Sequence, residues 1–240
     1  MPRTFPGRTG TVIETAEVPT AQKIVENVFK GQVHEVHLID GSGSMSTKFK
    51  NAVAGINKDL SESLKAAIAT DIAGTFSIFQ FGDAFSESYH GNVTLAPITR
   101  FAEYQPIFLC SGSTYLYGSI IHTINLILSK KAPEDKVLLK ILTDGQDNAS
   151  PRNYREAAAK LIKDVQANNS FTVTFVGTKD DVHYVTHNLN VDISNTLIHD
   201  NTDMGIEKAY MKTALSSVQY RSKLSKGINV SLSFYGKSTD

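Results

Sequence analysis

Apolar residues follow two alternating rhythms along the chain. Val33 to Ile39, Thr75 to Phe81, Val137 to Leu142 and Phe171 to Val176 are short, nearly continuous apolar or β-branched runs of the length of buried strands. The third is interrupted by a charge, Lys140. Between these runs lie stripes at helical spacing. Met45, Phe49, Val53, Ile56, Leu60, Leu64 and Ala67 recur every three or four residues; Leu116, Ile120, Ile124 and Ile127 do the same ahead of Lys130 and Lys131. Tyr154, Ala158, Leu161 and Val165 form a third stripe. Ser44 or Ser46 is expected to cap the first helix and Ser150-Pro151 to open the third. A short helix over Val182 to Leu189, a short strand over Thr196 to Ile198 and a long helix over residues 203–224 complete the alternation. Strands alternating with helices predict an α/β fold: a doubly wound, mostly parallel central sheet with helices on both faces and a site at the strands' carboxyl ends.

The periphery is less regular. Residues 1 to about 20 are rich in Pro, Gly and Thr and read as an extension that adds at most an edge strand, with a short helix over Ala21 to Phe29. Phe85 to Tyr89 and Val93 to Ile98 flank His90-Gly91-Asn92, a hairpin signal. Ile228, Val230, Leu232 and Phe234 alternate with polar residues, as in a half-buried terminal strand. The expected division is an extension over 1–30, a main domain over 31–224, and a strand and tail over 225–240.

Composition narrows the function classes. At 240 residues and 41% hydrophobic, the chain suits one large domain. Lys+Arg and Asp+Glu are 24 each, so no basic surplus points to nucleic acid or to an anionic membrane. No run approaches the ~20 apolar residues of a spanning helix, and Met1 to Arg8 lacks the apolar stretch of a signal peptide. The single cysteine, Cys110, cannot close an internal disulfide, which fits a reducing, cytoplasmic compartment.

Chemistry concentrates where the first strand ends. Val36-His37-Leu38-Ile39 runs into Asp40-Gly41-Ser42-Gly43-Ser44-Met45, a carboxylate followed by two alternately spaced hydroxyls. Thr114 closes Ser111-Gly112-Ser113-Thr114 before the second helical stripe, and Asp144 follows the Val137–Leu142 run in Thr143-Asp144-Gly145. Two carboxylates with neutral hydroxyls form a hard oxygen donor set, suited to Mg²⁺ first, to Mn²⁺, and less well to Ca²⁺, which takes more ligands.

Asp40-x-Ser42-x-Ser44 with a distant Thr114 and a distant Asp144 resembles the von Willebrand factor A domain and its metal-ion-dependent adhesion site. The order, the separations of 74 and 30 residues, and the placement on strand ends and before a helix are similar to that family over about residues 31–224. Ser113 departs from the glycine usual there. The resemblance implies Asp40, Ser42, Ser44, Thr114 and Asp144 as metal ligands, and a coordination position completed by an Asp or Glu of a protein partner. It also implies a last helix, about 203–224, whose movement couples to the metal. Stand-alone cytoplasmic members of microbes, often encoded beside ATPases in stress-response systems, share this layout.

Other readings remain beside it. A Mg²⁺-dependent phosphotransferase with Asp40 as nucleophile would want a second acid where Ser42 stands, and a structural subunit of a larger complex would hold its site permanently filled. His183 and His187 have half of a zinc spacing but no third ligand, so a solvated helix face is expected. Cys110 has no evident activating base. Gln146, Asp147 and Asn148 read as a solvated loop outside the site, and Tyr115 and Tyr117 as a partner-facing rim.

Overall fold

The computed structural model describes residues 29–85, 95–100, 102–200, 202–228, 230 and 233–236. Six strands form one sheet: β1 (Val33–Asp40), β2 (Gly74–Phe81), β3 (Ala96–Pro97), β4 (Lys136–Leu142), β5 (Phe171–Gly177) and β6 (Thr196–Ile198), in the order β3-β2-β1-β4-β5-β6. All neighbouring pairs are parallel except the two-residue edge strand β3, which runs antiparallel to β2. Every residue of β1, β2 and β5 is buried, because helices cover both faces and leave no solvated side to impose alternation.

Five helices join the strands: α1 (Phe49–Thr70), α2 (Leu116–Leu128), α3 (Tyr154–Ala167), α4 (Lys179–Asn188) and α5 (Asp203–Ser225). Val36, Leu38, Phe79 and Phe81 pack with Ile120, Ile124, Ala158, Ile162 and Val185 on the face covered by α2, α3 and α4. Ile39, Phe76 and Ile78 pack with Phe49, Ile56, Leu60, Ile206 and Tyr210 on the face of α1 and α5. The strand order reverses between β1 and β4. The chain leaves β1 for α1 on one face and leaves β4 for α3 on the other, so the two loops part and open a crevice at the carboxyl end of the sheet.

The predicted strands and helices appear close to their expected bounds, but the caps differ. A 3-10 turn over Gly43–Thr47 precedes α1; neither Ser42, at the head of that turn, nor Lys48, at the head of α1, makes a side-chain cap. Asn153, not Ser150, heads α3. The Ser150 hydroxyl instead donates to Asp147 Oδ2 at 2.6 Å, and Ser150 N donates to Asp147 Oδ1 at 2.9 Å. α4 starts at Lys179, earlier than expected, because Thr178 and Asp181 form a capping box there. The helix expected at Ala21 to Phe29 and the hairpin turn at residues 86–94 lie outside the described residues, as does part of the terminal alternation, of which Val230 and Phe234 are buried.

Candidate metal centre

β1 delivers Asp40 to the crevice with its side chain wholly buried. Oδ1 accepts Ser42 N at 2.7 Å and Oδ2 accepts Thr143 Oγ1 at 2.5 Å. Burial pushes the Asp40 carboxyl above its ordinary range; the Thr143 and Ser42 donors work against this, and the Asp144 charge adds to it. Both oxygens are thus already oriented by this chain.

The hydroxyls that cap no helix turn to the crevice. Ser42 Oγ lies 3.1 Å from Ser44 Oγ, and Ser44 Oγ donates to Asp144 Oδ1 at 2.7 Å. Thr114 arrives from the loop between β3 and α2. Its backbone N donates to Asn148 Oδ1 at 2.8 Å, and Asn148 N donates back to Thr114 O at 3.1 Å. A Cβ built on Gly145 would stand 3.6 Å from Thr114 Oγ1 and 3.9 Å from Ser44 Oγ. Hydroxyls from loops 70 residues apart therefore face one small space beside Asp144.

Asp40, Ser42, Ser44, Thr114 and Asp144 are all brought to this place. Two carboxylates and three hydroxyls, with no sulfur or imidazole among them, fit a hard divalent cation.

Several functional contacts escaped the sequence reading. Asp147 and Asn148, expected to be solvated, hold the α2 side of the site: Asp147 Oδ2 accepts Tyr117 N at 2.8 Å while Asn148 ties down Thr114. Asp83 Oδ1 accepts Ser113 N at 2.5 Å, and Gly112 turns the same loop at φ +71°, where a side chain is disfavoured. Ser111 N and Gly43 N complete the join, donating to Gly41 O at 3.0 Å and Gly112 O at 3.2 Å. Lys48 Nζ reaches Asp144 Oδ2 at 2.5 Å. No periodicity signals such contacts; Lys48 and Asp144 lie 96 residues apart in the chain.

The rim is also corrected. Tyr117 is buried and its hydroxyl meets that of Tyr184, so only Tyr115 is partly open. The most exposed apolar residue of the neighbouring loop is Leu109, 88% exposed; Ile107 on the same loop is also exposed, and its N donates to Gln80 Oε1 at 2.9 Å. Leu109 borders an open groove of about 430 Å³ with Phe49, Val53 and Phe108.

Cys110 is held as a thiol, raised to about 11 by burial and by Asp40 and Asp144, and so is a poor nucleophile. His183 and His187 stack on each other in solvent at 4.2 Å.

A second group lies deeper on the α1–α5 side. Glu35, His37 and Asp59 each place one ligand atom within 4.8 Å of the others. A cation of the chain's own is already there: Lys140 Nζ contacts Glu35 Oε2 at 2.8 Å, Asp59 Oδ2 at 2.6 Å and Ser217 Oγ at 2.8 Å. Arg221 Nη2 holds Glu35 Oε1 at 2.8 Å. Two carboxylates and two cations balance, and burial keeps His37 neutral by lowering its pKa well below the ordinary value. This is an internal ion network, with no surplus negative charge to bind a metal.

No family profile and no curated protein matches the chain. Solved structures do. The pilus adhesin SpaC of Lactobacillus rhamnosus GG, in its open conformation, aligns with a TM-score of 0.61 at 14% identity over 79% of this chain and 30% of that one. A von Willebrand factor type A protein from Catenulispora acidiphila gives 0.52 at 15% identity over 78% and 43%. Proximal thread matrix protein 1 of the mussel byssus gives 0.51 at 15% identity over 75% and 46%. The chain spans less than half the length of each. At these identities the likeness is one of fold: the chain adopts the von Willebrand factor A fold. Among the described residues no helix is long and apolar enough to cross a membrane.

Proposed function

We propose that this chain is a protein-binding module that holds a divalent cation, Mg²⁺ by preference, on Asp40, Ser42, Ser44, Thr114 and Asp144, and grips an acidic side chain of a partner protein through it. The observation that carries the reading is what the Ser42 and Ser44 hydroxyls do: Ser42 heads the 3-10 turn without a side-chain cap, and Ser44, expected to cap the first helix, lies inside that turn. The two form instead a hydroxyl chain to Asp144, beside Thr114. An ion held by these residues would supply an electrophilic site for a partner's carboxylate. This chain's residues do the rest: Asp40 is fixed by Thr143 and Ser42 N, Thr114 by Asn148, and Leu109 stands exposed beside them. The likeness in fold to the pilus adhesin SpaC agrees with a binding role.

An Asp40 nucleophile is less well supported. Asp40 has no exposed surface and both of its oxygens accept hydrogen bonds. Nucleophilic attack on a phosphoryl group needs an oxygen that reaches substrate.

Isothermal titration with Mg²⁺ and Mn²⁺ tests the metal part. Wild type is expected to bind and Asp40→Ala to bind at least tenfold more weakly; no binding by wild type, or equal binding by both, overturns the reading. Affinity purification with and without EDTA tests the partner part, through proteins recovered only when divalent ions are present.

A further inference from the structure

The metal reading leaves one charge at the site without a role. Lys48 ends the 3-10 turn that carries Ser44 and begins α1. Its ammonium contacts Asp144 Oδ2 at 2.5 Å while Ser44 Oγ occupies Asp144 Oδ1 at 2.7 Å. The Asp144 side chain is 3% exposed and that of Lys48 is 18% exposed. The carboxylate is therefore committed to the site, whereas the ammonium sits at its edge on a flexible stem, with water in reach. A lysine head is a compact point charge that forms and releases such a contact easily, unlike the rigid two-pronged guanidinium of arginine.

We infer that Lys48 is a tethered counter-cation that sets the metal affinity of the site by competing with the divalent ion for Asp144. The inference rests on the metal reading above. The electrostatics are direct. A positive charge beside a ligand carboxylate neutralises part of what attracts a second cation and repels that cation itself. The site has two carboxylates, so with Lys48 in place its net charge is −1 and not −2. The hydroxyls add no charge to make up the difference. A divalent ion must push the ammonium aside toward solvent or share Asp144 with it, and both weaken binding.

The test is calorimetric titration of Mg²⁺ and Mn²⁺ into wild type, Lys48→Met, Lys48→Gln, Lys48→Arg and Asp40→Ala, with circular dichroism to confirm folding. Both neutral variants are expected to bind Mg²⁺ at least tenfold more tightly than wild type, and Lys48→Arg no more tightly. In metal-free buffer the neutral variants should melt at lower temperature than wild type, and Mg²⁺ should raise their melting temperature by more. Folded neutral variants with wild-type or weaker Mg²⁺ affinity overturn the inference and leave the metal reading standing. Absence of divalent binding in wild type overturns the metal reading and this inference with it.

Discussion

Thr143 Oγ1 donates to Asp40 Oδ2 at 2.5 Å, joining the carboxyl ends of β1 and β4 at the point where the strand order reverses. The two residues are 103 apart in the chain, yet one hydroxyl both offsets the burial of Asp40 and aims it. Thr143→Val leaves a buried carboxylate with one donor fewer. Urea denaturation should show a loss of about 1–3 kcal/mol. Calorimetry should show Mg²⁺ affinity reduced by about 10–100-fold, as for other residues that orient a ligand. Thr143→Ser should retain most of both.

Asn148 acts on the other wall. Because its Oδ1 holds Thr114 N at 2.8 Å, Asn148→Ala should release the Thr114 loop and weaken Mg²⁺ binding severalfold, without removing any proposed ligand. The lost acceptor leaves the buried Thr114 N–H without its side-chain partner, so urea denaturation should also show a loss of about 1 kcal/mol. A titration indistinguishable from wild type would refute this positioning role.

Lys140→Met removes the cation shared by Glu35 and Asp59. Breaking a buried pair on one side costs about 3–5 kcal/mol, measurable by urea denaturation at pH 7. The pH dependence has a definite sign. Burial pushes Asp59 up, with Lys140 opposing. Without Lys140, Asp59 in the folded state holds its proton more tightly than in the unfolded chain. The folded variant then gains relative to the unfolded one as pH falls. The gap between wild type and variant should narrow from pH 7 toward pH 5. In wild type, burial would raise Glu35, but Lys140 and Arg221 more than reverse this and hold it at about 2, below its ordinary 4.5. Its stabilising contribution is complete above pH 4.5 and should be lost as pH falls toward 2.

Leu109→Ser should leave folding and Mg²⁺ affinity unchanged, since the side chain is 88% exposed and touches no ligand. Recovery of any EDTA-sensitive partner should fall. Unchanged recovery would show that the apolar groove beside the site is not part of the contact.

Much of this was legible in the sequence, for physical reasons. β1, β4 and β5 are buried on both faces, so they read as nearly continuous apolar or β-branched runs broken by a few polar residues, and α1 and α2 each carry a clear stripe. The convergence of Asp40, Thr114 and Asp144 follows from strand–helix order, which sends all three loops to one end of the sheet. The cap expected at Ser44 or Ser46 did not form, since Lys48 heads α1 without a side-chain cap; short hydroxyl side chains suit capping and hydrogen bonding to distant loops alike. Lys48, Asn148, Asp83 and Thr143 act through single contacts between distant segments, and such contacts leave no period to read. Lys140 interrupted an apolar run, but its partners Asp59, Ser217 and Glu35 lie on three different elements.

The last helix has a mechanical property that follows from its packing. The Tyr210 ring fills the notch left by the missing side chain of Gly55 on α1, and Arg221, fully buried, grips Glu35 on β1. These two pins on α5 lie about 16 Å apart at the helical rise of about 1.5 Å per residue. To slip lengthwise by one turn, α5 would have to lift an aromatic ring out of its socket and pull a guanidinium from its carboxylate at once. Any signal carried from the crevice at the carboxyl end of the sheet along this helix must therefore travel as a tilt or roll about fixed anchors, not as a piston stroke.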